Sequence, residues 1–412
     1  MMQKHLSSSK QIKMFIASSL LVFTFSTAQA IPINIPELAP PAPGDVVVDT
    51  VTTQPVIPVG NWITTSQTTT ENINGVPTQV TRNAKIKVPN NPKGLVMFFH
   101  GTTGSADTID RSGSMVITNA LYNAGYAVAA LDSYKRYGDR HWDPTPDVVN
   151  NQDWLRVKAV RQQFLNTTGL SNDTPWFGWG FSWGGATTYS MSRMAALEGI
   201  PMSAIATYSG PGTQGLIDLA NPLAGEPAFN PPPVFQAVLE NDLTGKVVNG
   251  ILIEDNNRPA DMIIDHQTLD DIGATYEYHL GVEKLLQPER FLRIDGINQT
   301  QAQWIFDQLV TLGYIDANGL RTLNLGRQEL PSSDPDFVDL ATDFTNLGLS
   351  ADLAKSINQE MKIVWARHTV SDEFVTEHVS FFDSQLTAVP LPPAIWFFGS
   401  AIAGLFGVCR QG

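Results

Sequence analysis

Thr174-Pro175-Trp176-Phe177-Gly178-Trp179-Gly180-Phe181-Ser182-Trp183-Gly184 is the stretch on which the reading of this 412-residue chain turns. A short apolar run leaves a proline turn, ends at a serine set between two glycines, and is followed by Gly185 to Met191, whose small residues suit a tightly packed helix. A serine at a strand-to-helix junction sits on a sharp backbone turn, and small flanking residues let the chain reverse and expose the hydroxyl. Ser182 is the candidate nucleophile. The pentapeptide Gly180 to Gly184 also suits a plain glycine turn, so its surroundings decide what it means.

Those surroundings alternate. Gly94 to Phe99 is a continuous apolar run of strand length, as expected of a strand buried on both faces. Met115 to Ala124 reads as helix, Tyr126 to Leu131 as strand, Trp154 to Phe164 as helix, and Ser203 to Tyr208 and Val234 to Leu239 as further strands. Strands alternating with helices predict an α/β fold with a mostly parallel central sheet and helices on both faces. Asn61 to Thr64 opens a β-rich stretch, with a turn signal at Asn72 to Pro77. From about Lys246 to Gln359 the alternation weakens over a length unusual for a connection. Ile297, Ile305, Phe306, Leu309, Val310 and Leu312 keep helical spacing there, and Asp316-Ala317-Asn318-Gly319 makes a turn. We read a helical, cap-like insertion, placed either over the site or remote from it.

Phe98-Phe99-His100-Gly101-Thr102-Thr103-Gly104 leaves the first buried strand where acyl transfer needs backbone donors. Attack on an ester carbonyl builds negative charge on its oxygen, and rigid N–H groups stabilise that charge without reorganising. The expected donors are the N–H groups of Thr102 and Trp183. This turn and the elbow, in this order and spacing, resemble the α/β-hydrolase superfamily, in its secreted serine esterase or lipase form. The resemblance covers most of Trp62 to Leu386 and implies a Ser, Asp, His order along the chain. It implies an acid at the exit of Val234 to Leu239, which we place at Asp242, with Asp255 and Asp261 as substitutes and Glu240 behind them. It implies a base after the final strand. With Met361 to Arg367 read as that strand, His378 is favoured and His368 is the alternative. His266 and His279 fall in the insertion, and His141 reads as loop packing or rim. No metal or other cofactor is expected: no H-E-x-x-H spacing occurs, and the one cysteine, Cys409, lies at the far end.

The two ends read differently from the body. Lys4, Lys10 and Lys13 precede an apolar stretch from Met14 to Phe25 and small residues up to Ala30, the pattern of a signal peptide over 1–30. Residues 31–60 read as a proline-rich lead-in, and 61–387 as the domain that resembles an α/β-hydrolase, with the insertion at about 246–359. Val389-Pro390-Leu391-Pro392-Pro393, the short apolar segment Ala394 to Val408, and Arg410 make up 388–412. This tail resembles the PEP-CTERM sorting signal in its V-P-L-P form. The resemblance implies transient retention at the inner membrane, then removal by an exosortase-type enzyme, leaving a periplasmic, cell-surface or extracellular protein. Leu391 stands where that family usually has glutamate, and the basic cluster is reduced to Arg410. With formal charge −14, the chain is a poor partner for nucleic acid or anionic membrane surfaces.

Taken together, these features predict an exported serine hydrolase that cleaves carboxylic esters through an acyl-enzyme. A peptidase or acyltransferase of the same fold, and a non-catalytic envelope or matrix binding protein on a hydrolase scaffold, are the alternatives. Trp176, Trp179 and Trp183 are candidates to line an acyl pocket, with aromatic core packing the commoner role of such residues.

Overall fold

The computed structural model describes residues 47–49, 55–136, 140–210, 230–248, 251–257, 265, 267–322 and 335–387. The signal peptide and the sorting tail expected from the sequence lie outside the described residues. No helix among those described is long and apolar enough to cross a membrane.

In chain order the strands are β1 (Val47–Val48), β2 (Ile63–Ile73), β3 (Val76–Lys87), β4 (Gly94–Phe99), β5 (Tyr126–Leu131), β6 (Trp176–Phe181), β7 (Ala204–Tyr208), β8 (Val234–Leu239), β9 (Leu243–Val248), β10 (Ile251–Asn257), β11 (Tyr276–Gly281) and β12 (Lys284–Leu285). The helices used below are α1 (Ser112–Asn123), α2 (Gln152–Thr168), α3 (Trp183–Leu197), α4 (Gln299–Thr311), α5 (Pro335–Asn346), α6 (Ala351–Val364) and α7 (Val375–Thr387). Eight strands form one sheet in the order β11-β8-β7-β6-β4-β5-β3-β2. From β5 to β11 all neighbours are parallel, and β2 and β3 add an antiparallel edge. This is the mostly parallel α/β architecture that the alternation of strands and helices leads one to expect.

The apolar strands are buried for the reason their sequences suggest: helices cover both faces. Leu95, Met97 and Phe99 of β4 pack with Trp154, Val157 and Phe164 of α2 and Tyr189, Met191 and Met194 of α3. The alternate residues Val96 and Phe98 pack on the other face with Ile117 and Leu121 of α1 and Phe381 and Phe382 of α7. Trp176 belongs to the first core and Trp179 to the second, so neither lines an acyl pocket. Local chemistry ends these helices cleanly. Asn151 caps α2 by accepting from Trp154 N–H at 2.9 Å, and Gly169 closes it at φ 70°.

The expected insertion from Lys246 to Gln359 divides into two. β11 falls inside that range, yet it pairs with β8 as the sheet's last parallel strand. Before it comes the β9-β10 antiparallel hairpin. After it comes a helical module with its own core, in which Phe291, Ile305, Leu309, Phe344, Ile357 and Met361 meet. Sequence periodicity missed β11 because its residues are only partly buried at the sheet's edge, which leaves no continuous apolar run to mark it. The expected final strand at Met361 to Arg367 is likewise the end of α6 and the turn after it.

The elbow leaves no room for side chains on its glycines. A Cβ on Gly180 would collide with the Gly184 carbonyl and Thr188, and one on Gly184 with the Phe99 and His100 carbonyls. Gly184→Ala is therefore expected to destabilise the domain by about 1–3 kcal/mol or more, read from the midpoint of urea unfolding.

Candidate active site

Ser182 links β6 to α3 with φ 54° and ψ −126°, a region that non-glycine residues seldom occupy. The turn is held from both sides. Ser182 N–H donates to the Tyr208 carbonyl of β7 at 2.9 Å, and Ser182 C=O accepts from Gly185 N–H at 2.7 Å. Such strain persists only where the surroundings over-determine it, and the packing around Gly180 and Gly184 does so.

Three residues far apart in the chain meet at this turn. His368 Nε2 lies 2.9 Å from Ser182 Oγ, and His368 Nδ1 lies 2.7 Å from Asp242 Oδ1. A carboxylate only accepts, so Nδ1 carries the proton and the neutral ring offers Nε2 to the serine hydroxyl. Asp242 is fully buried and His368 is slightly exposed. The structure thus brings together Ser182, the favoured acid position Asp242, and the alternative base position His368. Of the substitutes for the acid, Asp255 lies on β10 and Asp261 falls outside the described residues. Glu240 instead accepts from the backbone N–H of Glu283.

His378, the favoured base, is a correction. It lies within the first turn and a half of α7, fully buried, with its Nδ1 3.1 Å from the Tyr208 hydroxyl. Its ring stacks on Phe235 at 5.1 Å and meets Phe382 edge-on at 4.5 Å. Burial pushes its pKa down to about 3, assisted by repulsion from His279. The sequence reading put the closing helix after residue 378, whereas α7 starts at Val375 and turns His378 into the core. His279 stacks on Phe235 at 4.6 Å, and His266 is outside the described residues.

The base arrives by an unexpected route. It follows α6, whose end is turned by Ala366 at φ 49°, so the helical module delivers it. Asn241, next to the acid, holds that turn. Its N–H donates to Ala366 C=O at 3.0 Å, and its side-chain amide donates to Trp365 C=O at 3.0 Å and Glu283 Oε2 at 2.9 Å. Phe181 supports the imidazole face at a ring separation of 4.9 Å. Beyond His368, Asp372 pairs with Arg293 at 2.6 Å, while Arg290 pairs with Glu360 of α6 at 2.5 Å and Asp49 at 3.4 Å. Asp372 is desolvated, which would raise its pKa, yet Arg293 and Arg290 outweigh that and hold it below the usual value. Nothing in the sequence marks Asn241 or Phe181 as functional, because each acts through a neighbour distant in the chain.

The turn from His100 to Gly104, the expected oxyanion turn, abuts the serine: a Cβ on Gly101 would stand 3.0 Å from Ser182 Cβ. The N–H groups of Thr102 and Trp183 donate to no acceptor among the described residues, and Trp183 opens α3. Buried His100 sets the turn. Ser133 N–H donates to its Nε2 at 3.1 Å, so Nδ1 bears the proton and donates to Gly101 C=O at 2.7 Å. Burial lowers the His100 pKa to about 4, keeping it neutral. Trp142 Nε1–H donates to the His100 carbonyl at 2.8 Å, and Trp183 Nε1–H to the Trp142 carbonyl at 3.2 Å. No group of three or more acidic, histidine or cysteine side chains suited to a metal occurs among the described residues.

No protein-family model matches the sequence, and no curated protein matches it. Among solved structures, the chain is similar to an arylesterase at 17% identity, covering 61% of this chain and 84% of that one with a TM-score of 0.37. It is similar to carboxyl esterase 2 of the mycorrhizal fungus Tuber melanosporum at 14% identity, covering 62% and 86%, TM-score 0.35. It is also similar to an esterase of Pyrobaculum calidifontis at 15% identity, covering 60% and 83%, TM-score 0.34.

The corrected histidine makes a measurable demand on stability. Unfolded, His378 takes up a proton below pH about 6.5; folded, it does not until about 3, so its contribution is full above 6.5 and declines as pH falls. His378→Gln should reduce the stability lost between pH 6.5 and 5 by about 2 kcal/mol, measured by denaturant unfolding at each pH.

Proposed function

We propose that this protein is a serine hydrolase acting on carboxylic esters, with Ser182 as nucleophile, His368 as general base and acid, and Asp242 as its orienting carboxylate. The observation that carries the reading is the continuous Ser182, His368, Asp242 hydrogen-bond line ending on a strained serine. His368 Nε2 takes the hydroxyl proton as Ser182 Oγ attacks the carbonyl. Asp242 holds the ring in the tautomer that makes this possible and stabilises the imidazolium. The N–H groups of Thr102 and Trp183 receive the developing oxyanion, worth about 3–4 kcal/mol per donor in known sites of this kind. The alkoxide leaves with the proton from His368, and water repeats the sequence on the acyl-enzyme.

Export through the signal peptide, and trimming of the C-terminal tail by an exosortase-type enzyme after transient membrane retention, belong to the same proposal. They rest on the sequence pattern of the two ends alone.

A fluorophosphonate probe and chromogenic esters test the chemistry. Labelling and turnover should vanish in Ser182→Ala, and kcat should fall by about 10⁴-fold or more in His368→Ala while His378→Gln stays active. A folded protein that neither labels nor turns over would point instead to a binding scaffold. Turnover of an amide, or transfer to an added alcohol, in preference to ester hydrolysis would point to a peptidase or acyltransferase. Mass analysis of the protein recovered from its cells should show both ends removed.

A further inference from the structure

Beside the catalytic line lies a small cavity of about 10 Å³, room for one oxygen-sized group. Thr108, Arg111, Ser114, Phe181, Gln359 and Thr369 line it. The lining offers donors and no carboxylate. The Arg111 side chain makes no hydrogen bond or ion pair among the described residues, although the chain holds 40 acidic against 26 basic residues. Burial of part of its side chain depresses its pKa with no acidic neighbour to offset this. Asp110, one residue away, is already engaged by Lys85 at 2.6 Å and by Trp62 Nε1–H at 2.9 Å.

A second observation is independent of that cation. Ser114 is 1% exposed and lines the cavity, and its hydroxyl makes no hydrogen bond among the described residues. A buried hydroxyl left unpaired carries a desolvation cost that a ligand acceptor would remove. Thr108 Oγ1 already accepts from Ser105 N–H, which leaves its proton to donate. The first turn of α1 has no side-chain cap, so its N–H groups add positive potential.

We propose that this cavity takes one oxygen of a carboxylate carried by the alcohol portion of the ester, the other oxygen staying at its mouth with Arg111 as the cation, and Ser114 serving as the buried donor. The inference rests on the hydrolase reading above. The side of the substrate follows from proton transfer. His368 must reach the departing oxygen to protonate it, so the alcohol portion sits on the histidine's side of the scissile bond. The cavity borders Thr369, next to His368, and Phe181, whose ring faces the imidazole.

The test uses 3-acetoxybenzoate and 3-acetoxybenzamide, which share an acyl group and differ in the charge of the departing phenol. The native enzyme should favour the carboxylate by about 10-fold or more in kcat/KM, mostly through KM. Arg111→Gln should abolish that preference while the amide's kcat/KM stays within about 3-fold, and Arg111→Lys should keep part of it. Ser114→Ala should lower it further from the native value. The absence of a preference in the native enzyme, or equal losses on both esters in Arg111→Gln, overturns the subsite. Failure on both esters while Ser182 still labels overturns the subsite alone, and failure to label overturns the hydrolase reading with it.

Discussion

The site depends on one constraint: Ser182 must hold a positive φ between β6 and α3. The energy that holds it there comes from contact, not from the residue itself. The start of α3 packs so closely on β6 and on the end of β4 that glycine is required at 180 and 184, and the Tyr208 carbonyl of β7 pins the Ser182 amide. Once the serine is fixed, the turn from His100 to Gly104 has one place to go. Gly101 packs against Ser182 Cβ, and neutral His100 draws in the Gly101 carbonyl from beneath. Burial keeps that histidine uncharged, so the turn is shaped by hydrogen bonding and no cation is added beside Ser182.

The helical module after β11 serves this constraint from the other side. Its core places α6, and the α6 terminus places His368. Asn241 then ties the turn before His368 to the turn that carries Asp242, so the two side chains are set relative to each other as well as to the serine. The buried pairs of Arg290 and Arg293 with Glu360, Asp49 and Asp372 hold the module and the loop beyond His368 together. Breaking one partner of such a cluster leaves an uncompensated buried charge, which is why a site can be lost by a change far from the serine.

Composition and local pattern carry much of this outright. The apolar runs at Gly94–Phe99, Tyr126–Leu131, Trp176–Phe181 and Val234–Leu239 are strands because only a sheet covered on both faces buries nearly every residue of so short a run. The glycines about Ser182 specify the elbow because only they permit its close packing, and the exit of β8 marks Asp242. These are local requirements, written within a few residues of where they act.

The choice between His368 and His378 was beyond the sequence. Both histidines follow the same apolar stretch, and what separates them is where α6 ends and α7 begins, which is decided by packing against the module and the sheet. The edge strand β11 escaped detection because partial burial gives it no periodic signature. Sequence alone therefore determined the setting of Ser182 and the class of fold, through steric rules that act within a turn. Tertiary structure alone decided which imidazole meets the serine, since that contact spans 186 positions and depends on the docking of elements that carry no local mark of it.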